Sequence, residues 1–206
     1  MWIFILVTVV AGYLLGNLNG AVCVSHLMGD DVRSHGSGNA GLTNFIRNYG
    51  ASRSLLVIAI DAGKAVVACV LGGLLLKNML GFRAGAALGG AAVMLGHVFP
   101  VFLGFRGGKG ILSGLFIAAI VDWRVALLIL AVFAVAYLTT QYVSLGSVLA
   151  AVTFGVGFVA LHHKDLITML CGVFMSALAT FMHRQNIGRL LKGEERKTNL
   201  FKKDKQ

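Results

Sequence analysis

Residues 54–76 read SLLVIAIDAGKAVVACVLGGLLL. As a helix rising about 1.5 Å per residue, this run is long enough to cross the roughly 30 Å hydrocarbon core of a bilayer. It carries Asp61 and Lys64, three residues apart and therefore on one helix face. Ionisable groups at that depth are costly alone and persist when they are paired or functional. Outward from this run the same texture recurs. Apolar stretches cover Trp2–Met28, Ala84–Leu103, Val125–Thr140, Leu145–Leu161 and Leu166–Met182. They are continuous rather than alternating, so they call for helices and not a closed barrel. A shorter apolar segment, Ile111–Val121, has 11 residues, too few for an untilted crossing of a full core.

The composition agrees. Of 206 residues, 57% are hydrophobic and only 13% charged, about half the charged share of a soluble domain, and mean hydropathy is +0.83. The expected fold is all-α: one polytopic integral-membrane domain over residues 1–206, with about seven transmembrane helices and a basic tail at 183–206. Met1–Gly16 lacks a basic leader and an A-x-A cleavage pattern, so it reads as a retained first span. Cys23, Cys69 and Cys171 all lie in apolar segments and read as small hydrophobes. Asn17 and Asn19, in the second half of the first span, need hydrogen-bond partners and so face protein. Pro100, the single proline, gives a helix end near His97 a cause.

The net charge of +10 would suggest nucleic acid in a soluble protein. Here the cations sit mainly in loops and the tail, where topology and anionic headgroups account for them, and no nucleic-acid partner is expected. With segments 29–53, 104–110, 141–144 and 183–206 on one side, that side holds 13 Lys and Arg, against 4 in the opposite turns. The bias places the first group in the cytoplasm, with the N-terminus outside and the C-terminus cytoplasmic. The polar, glycine-rich patches then share one face, whereas a transporter site lies more naturally near the midplane between repeated halves, and no internal repeat is visible.

Among these patches, Phe105-Arg106-Gly107-Gly108-Lys109-Gly110 joins two cations to three glycines directly before a helix. Loop amides and a helix N-terminus form an anion site, to which Lys109 adds a point charge. A purely topological basic turn is the plainer reading of those six residues alone. It is not a Walker A loop, because Gly110 follows Lys109 and no strand precedes it. Ser37-Gly38-Asn39-Ala40-Gly41 offers amides, a hydroxyl and a carboxamide, and Thr43, Asn44 and Arg47 follow; Arg47 suits bidentate phosphate binding. His183, Asn186 and Arg189 recur at every third residue and share a face, as they also would on a surface amphipathic helix. Ser144 and Ser147 lie at a span break. Glu195 and Lys197 read as solvated or locally paired. A hydrolytic triad finds no G-x-S-x-G elbow. Adjacent His162 and His163 are poorly placed to chelate a metal.

Taken together, the residues resemble the PlsY family of bacterial acyl-phosphate:glycerol-3-phosphate acyltransferases. The likeness rests on Ser37-Gly38-Asn39 with Thr43-Asn44 and Arg47, Asp61-x-x-Lys64, Gly96-His97-x-Phe99-Pro100, Gly107-Gly108-Lys109-Gly110, Tyr142-x-Ser144, His183-x-x-Asn186-Ile187-x-Arg189 and Gly193-x-Glu195-x-Lys197, in order along nearly the whole chain. It implies seven spans in the cell inner (plasma) membrane with the active site on the cytoplasmic side. It also implies transfer of a fatty acyl group from acyl-phosphate to the 1-hydroxyl of sn-glycerol 3-phosphate, giving lysophosphatidic acid and inorganic phosphate as the first step of phospholipid synthesis. No metal, cofactor or coenzyme A thioester is implied. Partners are the two substrates, membrane lipids and the enzyme that supplies acyl-phosphate.

By the same resemblance the catalytic set is Ser37, Arg47, Lys109, His183 and Asn186. Ser37 and its neighbours Gly36 and Gly38 would hold the donor phosphate. Asn39, Thr43, Asn44, His97, Gly107, Gly108, Gly110, Ser144 and Ser147 complete the substrate-binding set. The general base is either His183 or a substrate phosphate oxygen. Asn17, Asn19, Ala65 and Gln141 stand where the family usually has serine, proline, glycine and arginine, which bears on the bend in the first span and the packing around Lys64.

Overall fold

A computed structural model of the chain describes residues 2–198, so the rest of the basic tail, 199–206, lies outside the described residues. Among the described residues ten α-helices follow in order: α1 (Trp2–Gly16), α2 (Gly20–Leu27), α3 (Leu42–Tyr49), α4 (Ala51–Leu80), α5 (Phe82–Val98), α6 (Ile111–Val121), α7 (Trp123–Thr140), α8 (Val143–His162), α9 (Leu166–Met182) and α10 (Arg184–Leu191). No strand occurs among the described residues. Four helical segments are individually long and apolar enough to span a membrane, and the count reaches six if the bent pairs α1–α2 and α9–α10 each make one crossing. The seventh expected span is α6, whose 11 residues cover about half of a hydrocarbon core. Large apolar side chains on α1, α4, α7, α8 and α9, such as Leu6, Leu56, Leu127, Val156 and Leu170, remain exposed on the outside of the bundle, as a lipid-facing surface requires.

The centre of the bundle is α5, in which nine of 17 residues are alanine or glycine and most of the length is buried. Apolar burial drives no helix association in lipid, so close backbone contact through small residues has to do it. Gly85 and Gly72 face one another across α5 and α4, and a Cβ on either would overlap the other's carbonyl oxygen. Gly16 on α1 is similarly closed by Val93 O, and Gly96 by Tyr13 O. Gly85→Val should therefore separate α4 from α5 and lower stability by about 1–3 kcal/mol or more. Gly63→Ala, where a Cβ meets nothing within 4 Å, should leave it unchanged. Thermal unfolding of the purified proteins in detergent checks the pair.

The 41° bend between α1 and α2 needs no proline. Asn19 caps α2, its Oδ1 accepting from Val22 N at 3.0 Å. Asn17 Nδ2 donates to Tyr13 O at 2.8 Å, and its Oδ1 accepts from Phe102 N at 3.1 Å. Lys64 Nζ donates to Gly16 O and Leu18 O at 3.2 and 2.6 Å. The carbonyls released by the break are thus met by a buried cation, which gives the intramembrane lysine a structural reason to be there. At the far end of the bundle, Asp122 caps α7 and receives Arg124 at 2.6 Å and His162 at 2.9 Å, closing α6, α7 and α8. His162 is accordingly a buried strut.

Candidate active site

The loops before α3, between α5 and α6, and between α7 and α8 meet α10 at one end of the bundle, around a cavity of ≈ 300 Å³. Of the expected site residues, Ser37, Asn39, Thr43, Asn44, Arg47, His97, Lys109, Gly110, Ser144, Ser147, His183 and Asn186 border it. Gly36, Gly38, Gly107 and Gly108 do not. One part of the wall is polar. The rest is formed by Ile111, Leu112, Leu115, Ile129, Leu130 and Phe133 from α6 and α7, so a charged head and an apolar chain can share the space.

The glycines outside the wall have other work. Gly36 and Gly38 turn the first loop with φ of 60° and 69°, a region that suits glycine. Gly107 and Gly108 are spacers: a Cβ on Gly107 would overlap His97 O, and one on Gly108 would overlap the His97 ring. Gly108 N donates to His97 O at 3.1 Å, so that amide is already used. Gly110 caps α6 with φ of 81°, and Gly110, Ile111 and Leu112 present the N-terminus of α6 to the cavity. The orphan amides of a helix's first turn, together with Lys109, form an anion site.

Asn44 is also a strut. Its Oδ1 accepts from Ser37 N at 3.0 Å, and its Nδ2 donates to Val32 O, His35 O and Asn39 O at 3.0–3.1 Å. Gly38 N donates to His35 O at 3.0 Å. The first loop therefore spends the Ser37 and Gly38 amides on its own shape, and the exposed Ser37 offers its hydroxyl at the cavity mouth. Asn19 Nδ2 ties this loop to the bend in the first span by donating to Ala40 O at 3.0 Å.

Opposite these, Lys109 Nζ donates to Asn186 Oδ1. Asn186 Nδ2 donates to Glu195 Oε1 at 3.2 Å, and Arg189 Nε donates to Glu195 Oε2 at 2.7 Å. Glu195 is the anchor of this chain of contacts, and its pairing with Arg189 is the local ion pair expected from sequence. The guanidinium of Arg47 donates through Nε and Nη to Thr198 Oγ1, the former at 2.8 Å. Thr198 is held in turn by its N–H on Gln141 O and by Tyr137 Oη donating to its carbonyl, both at 3.1 Å. No sequence signal singled out Thr198, because its partners lie 61 and 151 positions away.

The electrostatic balance favours an anion. Arg47, Lys109 and Arg189 face the cavity against Glu195, while the carboxylate of Asp61 lies 2.8 Å from Lys64 Nζ. Burial, reinforced by the nearby Arg189 charge, pushes the Lys109 ammonium down to about 8. His183 Nδ1 lies 2.8 Å from Ala179 O. A carbonyl only accepts, so Nδ1 carries the proton and the neutral ring keeps Nε2 as a proton acceptor. Ser144 Oγ is buried in the wall without a hydrogen-bond partner among the described residues.

A family model described as glycerol-3-phosphate acyltransferase matches residues 6–193. A glycerol-3-phosphate acyltransferase of Thermoanaerobacter sp. (strain X514) is 38% identical over 195 residues, covering 94% of this chain and 96% of that one. The glycerol-3-phosphate acyltransferase of Anaeromyxobacter dehalogenans (strain 2CP-C) is 39% identical over 192 residues, covering 93% and 96%. The crystal structure of PlsY (YgiH), an integral membrane glycerol 3-phosphate acyltransferase, in its glycerol 3-phosphate form superposes with a TM-score of 0.86 at 32% identity, covering 96% of this chain and 99% of that one. The lysophosphatidic acid form of PlsY gives a TM-score of 0.82 at 33% identity, covering 95% and 96%.

Proposed function

Because the chain belongs to the glycerol-3-phosphate acyltransferase family, we propose that its acyl donor is an acyl-phosphate and that the acceptor is the 1-hydroxyl of sn-glycerol 3-phosphate. The products are lysophosphatidic acid and inorganic phosphate. The observation that carries this reading is the two-part cavity, with cations and hydroxyls on one wall and aliphatic side chains on the other. Both substrates bring a phosphate, and one also brings a chain. The solved relatives were obtained in a glycerol 3-phosphate form and a lysophosphatidic acid form, which supports a similar acceptor and product here.

An acyl-phosphate is already activated, so no covalent enzyme intermediate is required; positioning and charge stabilisation suffice. The acceptor hydroxyl attacks the acyl carbonyl, the bond between that carbon and the phosphate oxygen breaks, and inorganic phosphate leaves with the electron pair. The hydroxyl proton passes to His183 Nε2 or to a phosphate oxygen. Lys109, Arg47, Ser144, His183 and Asn186 hold glycerol 3-phosphate. The N-terminus of α6 adds its first-turn amides to Lys109, and the Ser37 hydroxyl holds the donor phosphate. The distribution of Lys and Arg supports placing this end of the bundle in the cytoplasm, with the N-terminus outside, in the inner (plasma) membrane. The enzyme that makes the acyl-phosphate is then a natural partner, since the donor is amphiphilic and hydrolysable.

Purified protein should release inorganic phosphate from palmitoyl-phosphate when glycerol 3-phosphate is present, with stoichiometric lysophosphatidic acid. Equal release without the acceptor, or acylation from a thioester donor alone, would remove this donor assignment.

A further inference from the structure

A buried charged cluster joins one residue of the expected substrate-binding set, His97, to two that are outside it, Asp61 and Lys64. Asp61, Lys64 and His97 come from α4 and α5 and are 1%, 5% and 4% exposed. Lys64 Nζ lies 2.8 Å from Asp61 Oδ1 and 2.7 Å from His97 Nδ1, besides its bonds to Gly16 O and Leu18 O. Asp61 Oδ1 also accepts from Gly20 N at 3.1 Å. We infer that Lys64, held by Asp61, is a positioning residue that fixes His97 as its Nε2–H tautomer and so presents an N–H donor to the anion cavity.

Donor and acceptor type decide the tautomer. An ammonium has no lone pair, so His97 Nδ1, 2.7 Å away, can only accept from it; of the four oxygen and nitrogen acceptors around its three protons, Gly16 O at 3.2 Å is the most distant. The neutral ring must then carry its proton on Nε2. Protonating the ring at both nitrogens would set two cations 2.7 Å apart with a single carboxylate between them. Nε2 is the ring atom beside Gly108, where a Cβ would overlap it, and His97 forms part of the cavity wall. The same residue accepts the Gly108 amide through its carbonyl. His97 thus sets the seat of the loop and supplies a donor next to it. Asp61 also borders the cavity, where an unpaired carboxylate would repel a phosphate; Lys64 cancels that charge, so the carboxylate does not oppose an anion beside His97.

This inference rests on the acyl-transfer reading for its catalytic consequence but not for the tautomer itself, so the test has two arms. In the first, the full chain is labelled with ¹⁵N-histidine in nanodiscs, and the His97 signal among the six histidines is assigned by its loss in His97→Gln. The wild type should show a protonated Nε2 and an unprotonated Nδ1, and Lys64→Met should redistribute the ring between tautomers. In the second arm, His97→Asn keeps an acceptor near the Nδ1 position, whereas His97→Gln keeps an N–H near Nε2. His97→Asn should lose about 10²-fold in kcat with KM for glycerol 3-phosphate little changed, as for removal of one oxyanion donor, and His97→Gln should lose about tenfold less than that.

An Nδ1–H ring in the wild type, an unchanged tautomer in folded Lys64→Met, or equal kcat in the two histidine variants would overturn the inference. If Lys64→Met does not fold, the wild-type spectrum and the histidine pair still decide it. An Nε2–H ring in a protein that transfers no acyl group would sink the acyl-transfer reading while leaving the tautomer lock in place.

Discussion

Lys109→Ala is expected to lower acyl transfer by about 10²–10³-fold, the scale of removing one preorganised charge stabiliser from an active site. Lys109 is half-buried and stands at the N-terminus of α6, where its charge adds to that of the first-turn amides. Its ammonium donates to Asn186 Oδ1, and Asn186 is tied to Glu195, which also receives Arg189. The cation is therefore aimed before substrate arrives. Its loss should leave the bundle intact, because α6 is held by packing against α4, α5 and α7 rather than by this side chain. The same residue predicts a pH profile. Lys109 is held at about 8, with burial as the main cause. A phosphomonoester is a dianion above about pH 6, so between about pH 6 and pH 8 cation and dianion meet with no proton to be taken up. Above pH 8 binding must recruit one proton to Lys109, and KM for glycerol 3-phosphate should rise by up to about tenfold per pH unit. The alanine variant should lose that alkaline limb. A wild-type KM that stays flat from pH 7 to 10 would remove Lys109 from the phosphate contact.

The spans were legible because lipid imposes one demand, unbroken apolar length, and residues 54–76, 125–140 and 166–182 meet it openly. The break in the first span was less legible, since it depends on Asn17 and Asn19 finding Phe102 and Ala40, partners 85 and 21 positions away. Charged and hydroxyl residues with no local explanation, such as Lys109, Arg47, Ser144 and His183, pointed to a site, and the fold brings them to one cavity. Sequence alone could not separate ligands from struts. Asn44 looks like a polar ligand, yet its amide group is engaged by the loop backbone. Gly107 and Gly108 look like phosphate amides, yet they lie behind the wall. Thr198 looks like nothing in particular, and it receives the Arg47 guanidinium. For Thr198 the role is set by a partner 151 positions away; for Asn44 and the two glycines it is set by the shape of a nearby loop, which residue type and spacing do not encode.

Gly107→Ala should be nearly as damaging as loss of Lys109, although Gly107 does not border the cavity. A Cβ there would overlap His97 O and come within 2.7 Å of both Val98 O and Pro100 Cδ. Two of these obstacles are backbone carbonyls at the end of α5 and the third is a proline ring, so none can rotate aside, and the loop itself must lift. Lifting it breaks the bond from Gly108 N to His97 O and shifts Lys109 and the start of α6 together. A displacement of about 1 Å at a positioned group can cost about 10²-fold in rate. The expected result is a variant that inserts and keeps its helix content, because α5 and α6 are intact on either side, but turns over at least about 10²-fold more slowly. Gly188→Ala, in α10 with nothing within 4 Å of the added Cβ, is the matched control and should retain normal turnover. Circular dichroism and phosphate release on the two purified proteins make the comparison. Normal turnover in Gly107→Ala would mean that the loop has room the packing does not show, and the idea that His97 sets its height would have to go.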